Sequence, residues 1–146
     1  MIATLPDDER RAIEADCERL IKRYVNLNDA QDWPAVAALY TDDAVFRRPS
    51  GGDPIEGREA ILASFLARPP RVQRHVIANV VVEAVDADHA EAFCAILLYQ
   101  GDPEPAGTLP AMSASSPLVG TFTDRLVRTS EGWRFAERVG GLDFRP

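Results

Sequence analysis

Val72-Gln73-Arg74-His75-Val76-Ile77-Ala78-Asn79-Val80-Val81-Val82-Glu83-Ala84-Val85 is a long run rich in β-branched residues, the composition of a strand. The chain changes period at this point. Downstream of about residue 71 the pattern is near 2, and three further strands are predicted at 90–99, 118–128 and 133–139. Asp86-Ala87-Asp88-His89 and Ser130-Glu131-Gly132 read as the turns between them. Residues 101–117 hold four prolines without periodicity and read as a long loop, a candidate lid.

Upstream of the switch the period is near 3.6. Ile13, Cys17, Leu20, Ile21, Tyr24, Val25 and Asn28 form one stripe, which predicts a helix running to about residue 29. Thr4 is a candidate cap, and Asp7, Asp8 and Glu9 suit the positive end of the helix dipole. Asp32 is positioned to cap a second helix starting at Trp33-Pro34, with Val36, Leu39 and Tyr40 on its apolar side. A short strand at 44–48, a loop at 49–54 and a third helix at 58–67 follow, the last with Ile61, Leu62, Phe65 and Leu66 as its apolar face. Helices first and hairpin-linked strands after them predict an α+β fold: three N-terminal helices on a strongly curved, largely antiparallel sheet. Such a sheet can enclose a conical cavity suited to a small apolar molecule.

The chain has 146 residues and is 46% hydrophobic, which suits a single domain spanning 1–146. A net charge of −7 argues against nucleic acid and against an anionic membrane surface as partners. No apolar run is long enough to span a bilayer, and the N-terminus does not read as a secretory signal. Cys17 and Cys94 read as small buried residues of a protein in the reducing cytoplasm. No Cys/His cluster has ligand spacing, so neither a disulfide nor a metal site is expected.

Two residues carry the candidate chemistry. Counting back in fours from Asp29 gives Val25, Ile21, Cys17 and Ile13, so this carboxylate continues the apolar stripe of the first helix. Buried there, it needs a partner. His75 is one of only two histidines and sits in an alternating strand. By strict alternation it shares a face with Ile77, Asn79 and Val81, opposite Val76, Val80 and Val82. A carboxylate and an imidazole in an apolar pocket can move protons. The plainer readings are an exposed helix-end aspartate and a hydrogen-bonded core histidine. Asp124-Arg125 reads as a pocket pair or, by preference, an exposed cross-strand pair, and Arg47-Arg48 and the arginines between 68 and 74 read as solvated.

With these pieces in order, the sequence resembles the NTF2-like superfamily and, within it, the SnoaL-like group. The resemblance rests on Asp29-x-x-Asp32-Trp33, Leu39-Tyr40-Thr41-Asp42-Asp43-Ala44-Val45-Phe46, Ile55-Glu56-Gly57-Arg58-Glu59-Ala60-Ile61, Arg74-His75-x-x-x-Asn79, Gly120-Thr121-Phe122-Thr123-Asp124-Arg125-Leu126 and Gly132-Trp133-Arg134-Phe135. It implies a cone with a pocket between helices and sheet. Asp29 and His75 stand where the dehydratase and dehydrochlorinase branch has its aspartate–histidine pair, so the resemblance implies catalytic roles for them. The strand at 90–99 lacks the second histidine of the dehydratase, and Tyr24 stands where the dehydrochlorinase has lysine; neither specific reaction is implied. The resulting expectation is a cofactor-free lyase or isomerase of dehydratase or cyclase type, acting on a small apolar or polycyclic substrate in the conical pocket through Asp29 and His75. Tyr24, Tyr40, Phe46, Phe65, Asn79, Tyr99 and Phe122 are the candidate substrate-binding residues. The alternative is a non-catalytic ligand-binding or partner subunit. A homodimer through the outer face of the sheet is expected as well.

Overall fold

A computed structural model describes residues 4–146. Helix α1 spans Asp7–Asp29, and its buried residues are Ile13, Cys17, Leu20, Ile21, Tyr24, Val25 and Asn28, the stripe read from the sequence. Thr4 does not cap it. Pro6 occupies the N-cap position with no side-chain hydrogen bond, and its carbonyl accepts the Arg10 N–H at 2.9 Å. The acids Asp7, Asp8 and Glu9 in the first turn compensate the free N–H groups through the dipole. The helix ends where Gln31 adopts a left-handed φ of 58°. The Asp32 carboxylate then accepts the Ala35 N–H at 3.3 Å and caps the short helix α2, Trp33–Ala37.

Strand β1 (Tyr40–Arg47) starts four residues before the expected 44, because Tyr40 already pairs with Phe135. A two-residue strand β2, Ile55–Glu56, had no signal of its own and exists only as a partner for Val45 and Phe46. Helix α3 spans Arg58–Leu66. The four long strands β3 (Val72–Ala84), β4 (His89–Gly101), β5 (Leu118–Thr129) and β6 (Gly132–Leu142) match the expected segments within three residues at each end.

The six strands form one sheet in the order β2-β1-β6-β5-β4-β3. All pairings are antiparallel except β1 with β6, which is parallel. This is the α+β cone expected of an NTF2-like chain, with α1 laid mainly across β3 and α3 against β1 and α2. Register shifts between Tyr40 and Val45, between Ala78 and Val81, and between Arg125 and Leu126 interrupt the ladders. Each such irregularity bends a strand and increases its twist. At Gly120 the β5 and β6 backbones come so close that a β-carbon would lie 2.1 Å from the Gly141 carbonyl oxygen, so no larger residue fits.

The shift at Ala78–Val81 corrects the strand parity. Asn79 takes φ 55°, and the extra residue reverses the alternation after it. Gln73, His75 and Ile77 face the helices; beyond the bulge it is Val80 and Val82 that turn inward, while Asn79 and Val81 are exposed. Strict alternation places these four residues on the wrong faces.

Candidate active site

The end of α1 and the first half of β3 meet at Asp29 and His75. The Asp29 side chain is 3% exposed and the His75 side chain 11%. The Asp29 carboxylate makes a two-point contact: Oδ2 accepts the His75 backbone N–H at 2.8 Å, and Oδ1 lies 2.5 Å from His75 Nδ1. A carboxylate can only accept, so Nδ1 carries the hydrogen, and in the neutral form of the ring Nε2 is the nitrogen with the free lone pair. Arg74 Nη1 stands 3.6 Å from Oδ2, from a side chain that is mostly in solvent. Asn28 is pinned beside this pair, since Gln73 Nε2 donates to its Oδ1 at 2.7 Å and to its carbonyl at 3.1 Å. Gln31 donates to the Arg71 carbonyl, a further tie between the end of α1 and the start of β3.

His75 lines a cavity of about 440 Å³ between helices and sheet. The apolar wall comes from Tyr24, Trp33, Phe46, Ile96, Leu98, Leu118, Phe122 and Leu142. Of the expected binding residues, Tyr24, Phe46 and Phe122 line this cavity. Tyr40 does not: it is fully buried behind Tyr24, and the two hydroxyls are 2.7 Å apart. Burial pushes both phenols up, so both stay neutral and either can donate. Phe65 is core, stacked on Trp33 at 5.3 Å between centroids. Asn79 is the exposed residue of the bulge. Tyr99 pairs with Arg74 and faces a shallow groove of about 180 Å³ beside Met112, because its parity is opposite to that of Leu98.

Two groups of charged residues sit otherwise than the favoured sequence reading places them. The first is Asp124, which is buried inside the sheet, while its neighbour Arg125 points outward to Glu137. Asp124 pairs across the strands with Arg138, whose side chain is 0% exposed; Nε to Oδ1 is 3.0 Å, at angles that miss hydrogen-bond geometry. The guanidinium lies over the Tyr24, Phe122 and Phe135 rings at 4.2, 3.9 and 4.6 Å, so aromatic faces supply much of its solvation. Burial pushes the Asp124 carboxyl up to about 6, with Arg138 pulling the other way. Burial also opposes the Arg138 charge, and Asp124, Tyr24 and Tyr40 outweigh it. The two residues sit directly opposite one another in the β5–β6 register, which no signal in the linear sequence fixes.

The second group is Arg48, Arg68 and Arg71, which line the cavity. Each is half-buried where a solvated side chain was expected. Arg68 lies over Phe65 at 4.5 Å and over Trp33 at 5.6 Å. Burial lowers its pKa, and the Arg48 charge acts in the same direction. No feature of a linear sequence marks which arginines of a loop turn inward.

The sequence profile of the SnoaL-like domain matches residues 9–139. Solved structures share the fold across nearly the whole chain. A candidate dehydratase of the NTF2-like family from Streptomyces avermitilis is 16% identical, with a TM-score of 0.75 over 90% of this chain and 97% of that one. A candidate scytalone dehydratase from Novosphingobium aromaticivorans is 18% identical, with a TM-score of 0.72 over 89% and 83%. An NTF2-like protein with a cystatin-like fold from the same organism is 24% identical, with a TM-score of 0.69 over 90% and 82%.

Proposed function

This chain belongs to the SnoaL-like domain family, and from its cavity we propose that it is a lyase or isomerase that removes a proton from a carbon acid held in the cone. The observation that supports this most is the two-point grip of Asp29 on His75, with the ring in the cavity wall. His75 Nε2 takes the proton from carbon. Asp29 holds the ring in the required tautomer and stabilises the imidazolium that results. The electron pair left behind moves onto the substrate carbonyl as an enolate. Tyr24, backed by the Tyr40 hydroxyl, donates a hydrogen bond toward that oxygen. Return of the proton to another carbon gives an isomer. Loss of a β-hydroxyl as water, with the His75 proton delivered to it, gives a dehydration product. The names of the Streptomyces and Novosphingobium dehydratases agree with the second outcome.

We extend the proposal to assembly and location. Residues 1–146 act as one domain, and the outer face of the sheet carries Val72, Val76, Val81 and Phe93, all exposed, which suits burial against a second copy. The free thiols of Cys17 and Cys94 suit a reducing cytoplasm. The chemistry is tested with bicyclic ketones such as 2-tetralone in D₂O, by the rate of deuterium entry at the α-carbon. The protein should accelerate exchange, and His75→Ala should lower that rate about a hundredfold or more. A His75→Ala protein that retains the parent's rate would leave a ligand-binding protein without this chemistry.

A further inference from the structure

The cavity is cationic in an acidic protein. The net charge is −7, yet no aspartate or glutamate lines the cavity, whereas Arg48, Arg68 and Arg71 all do. Among the described residues none of these three guanidinium groups has a carboxylate within 4.0 Å; the paired arginines are Arg10, Arg58, Arg74, Arg125, Arg128, Arg134 and Arg138. Arg48 Nη2 donates to the Ser64 carbonyl, but its Nε is buried without any partner. Arg68 stacks on Phe65 and Trp33, and among the described residues its guanidinium N–H groups have no hydrogen-bond acceptor.

These residues come from three separate segments: the end of β1, the end of α3 and the start of β3. Gln73, Gln100, Ser50 and Gln31 line the same cavity, so its polar side is built from neutral side chains and cations. Half-buried guanidinium groups that repel one another are costly unless an anion joins them.

We propose that the cavity takes a flat apolar molecule bearing one carboxylate, with Arg68 and Arg71 gripping the carboxylate and Arg48 adding charge beside them. A planar carboxylate matches the guanidinium fork. The apolar wall of Tyr24, Phe46, Ile96, Leu98 and Phe122 takes the ring system. Arg71, Gln73 and His75 alternate along one strand face, so the anion grip and the histidine are separated by roughly 13 Å of backbone. The inference rests on the proposed use of this cavity for substrate, and it adds the class of substrate: an aromatic or polycyclic acid.

The test is binding of 2-naphthoate and of 2-naphthamide to the full chain, by calorimetry, at low and at moderate salt. The acid should bind about tenfold or more tightly than the amide, and added salt should erode that preference. Arg71→Gln and Arg68→Gln should each bring the two affinities together while leaving amide binding within about twofold. Arg71 precedes β3 and stacks on no ring, so its variant serves where loss of the Arg68 stacking disturbs the fold. Equal affinity for acid and amide, no binding of either, or a preference that survives both substitutions overturns the proposal. The outcome is separable from that of the catalytic reading. A preference lost in the arginine variants beside ketone exchange indifferent to His75→Ala keeps the anion site and removes the chemistry. Equal binding beside His75-dependent exchange does the reverse.

Discussion

Asp29→Asn is the substitution that bears most directly on the proposed chemistry. The native carboxylate serves two donors at once, the His75 backbone N–H at 2.8 Å and Nδ1 at 2.5 Å. Asparagine has one acceptor oxygen where aspartate has two. With that oxygen on the backbone N–H, its NH₂ group faces Nδ1, which must then present a lone pair. The hydrogen moves to Nε2, and the nitrogen intended as base is blocked. Loss of a general base costs roughly 10²- to 10⁴-fold, and a wrong tautomer alone reaches about 10⁴ in serine-protease triads. Deuterium entry into 2-tetralone should therefore fall by about a hundredfold or more. The fold should persist at a cost of about 1–3 kcal/mol, for exchanging a charge-assisted hydrogen bond for neutral ones. Long-range ¹H–¹⁵N correlation spectra read the tautomer without any substrate. An Asp29→Asn protein whose His75 keeps its proton on Nδ1, or whose exchange rate stays within about twofold of the parent, refutes the reasoning.

Arg138→Met strands Asp124 in the core and removes a cation stacked on three rings; denaturant titration should show a loss of about 3–5 kcal/mol at neutral pH. Asp124 is held up to about 6 against its ordinary 3.8, so the folded state binds its proton more tightly than the unfolded state does. Measured against Asp124→Asn, the parent should thus lose stability as pH rises from about 4 to about 6, and a flat or opposite difference would contradict the burial assigned to it. Asn79→Val puts a β-branched side chain at φ 55° and should cost about 1–2 kcal/mol, whereas Asn79→Gly should be close to neutral in thermal melts. A Val76→Glu, Val81→Glu double variant should sediment as a monomer if the outer face joins two copies, and an unchanged sedimentation coefficient would remove that face from the interface.

The fold was legible because its signals are local. The stripe from Ile13 to Asn28 needs only helical periodicity, and the long strands need only β-branched runs between turn residues. The position of Asp29 on that stripe was equally plain, since a carboxylate in line with Val25 and Ile21 is an anomaly of spacing alone. Three things were decided by tertiary structure. The bulge at Asn79 reversed the parity of half of β3, because one residue in a left-handed conformation shifts every later side chain to the other face. The partner of Asp124 depended on register between β5 and β6. The inward turn of Arg48, Arg68 and Arg71 depended on where three loop ends converge. Periodicity is written by each residue's near neighbours in the chain, so sequence alone fixed the helices, the strands and the oddity at Asp29. Which polar groups meet across the cone depends on contacts between distant segments, and only packing brings those together.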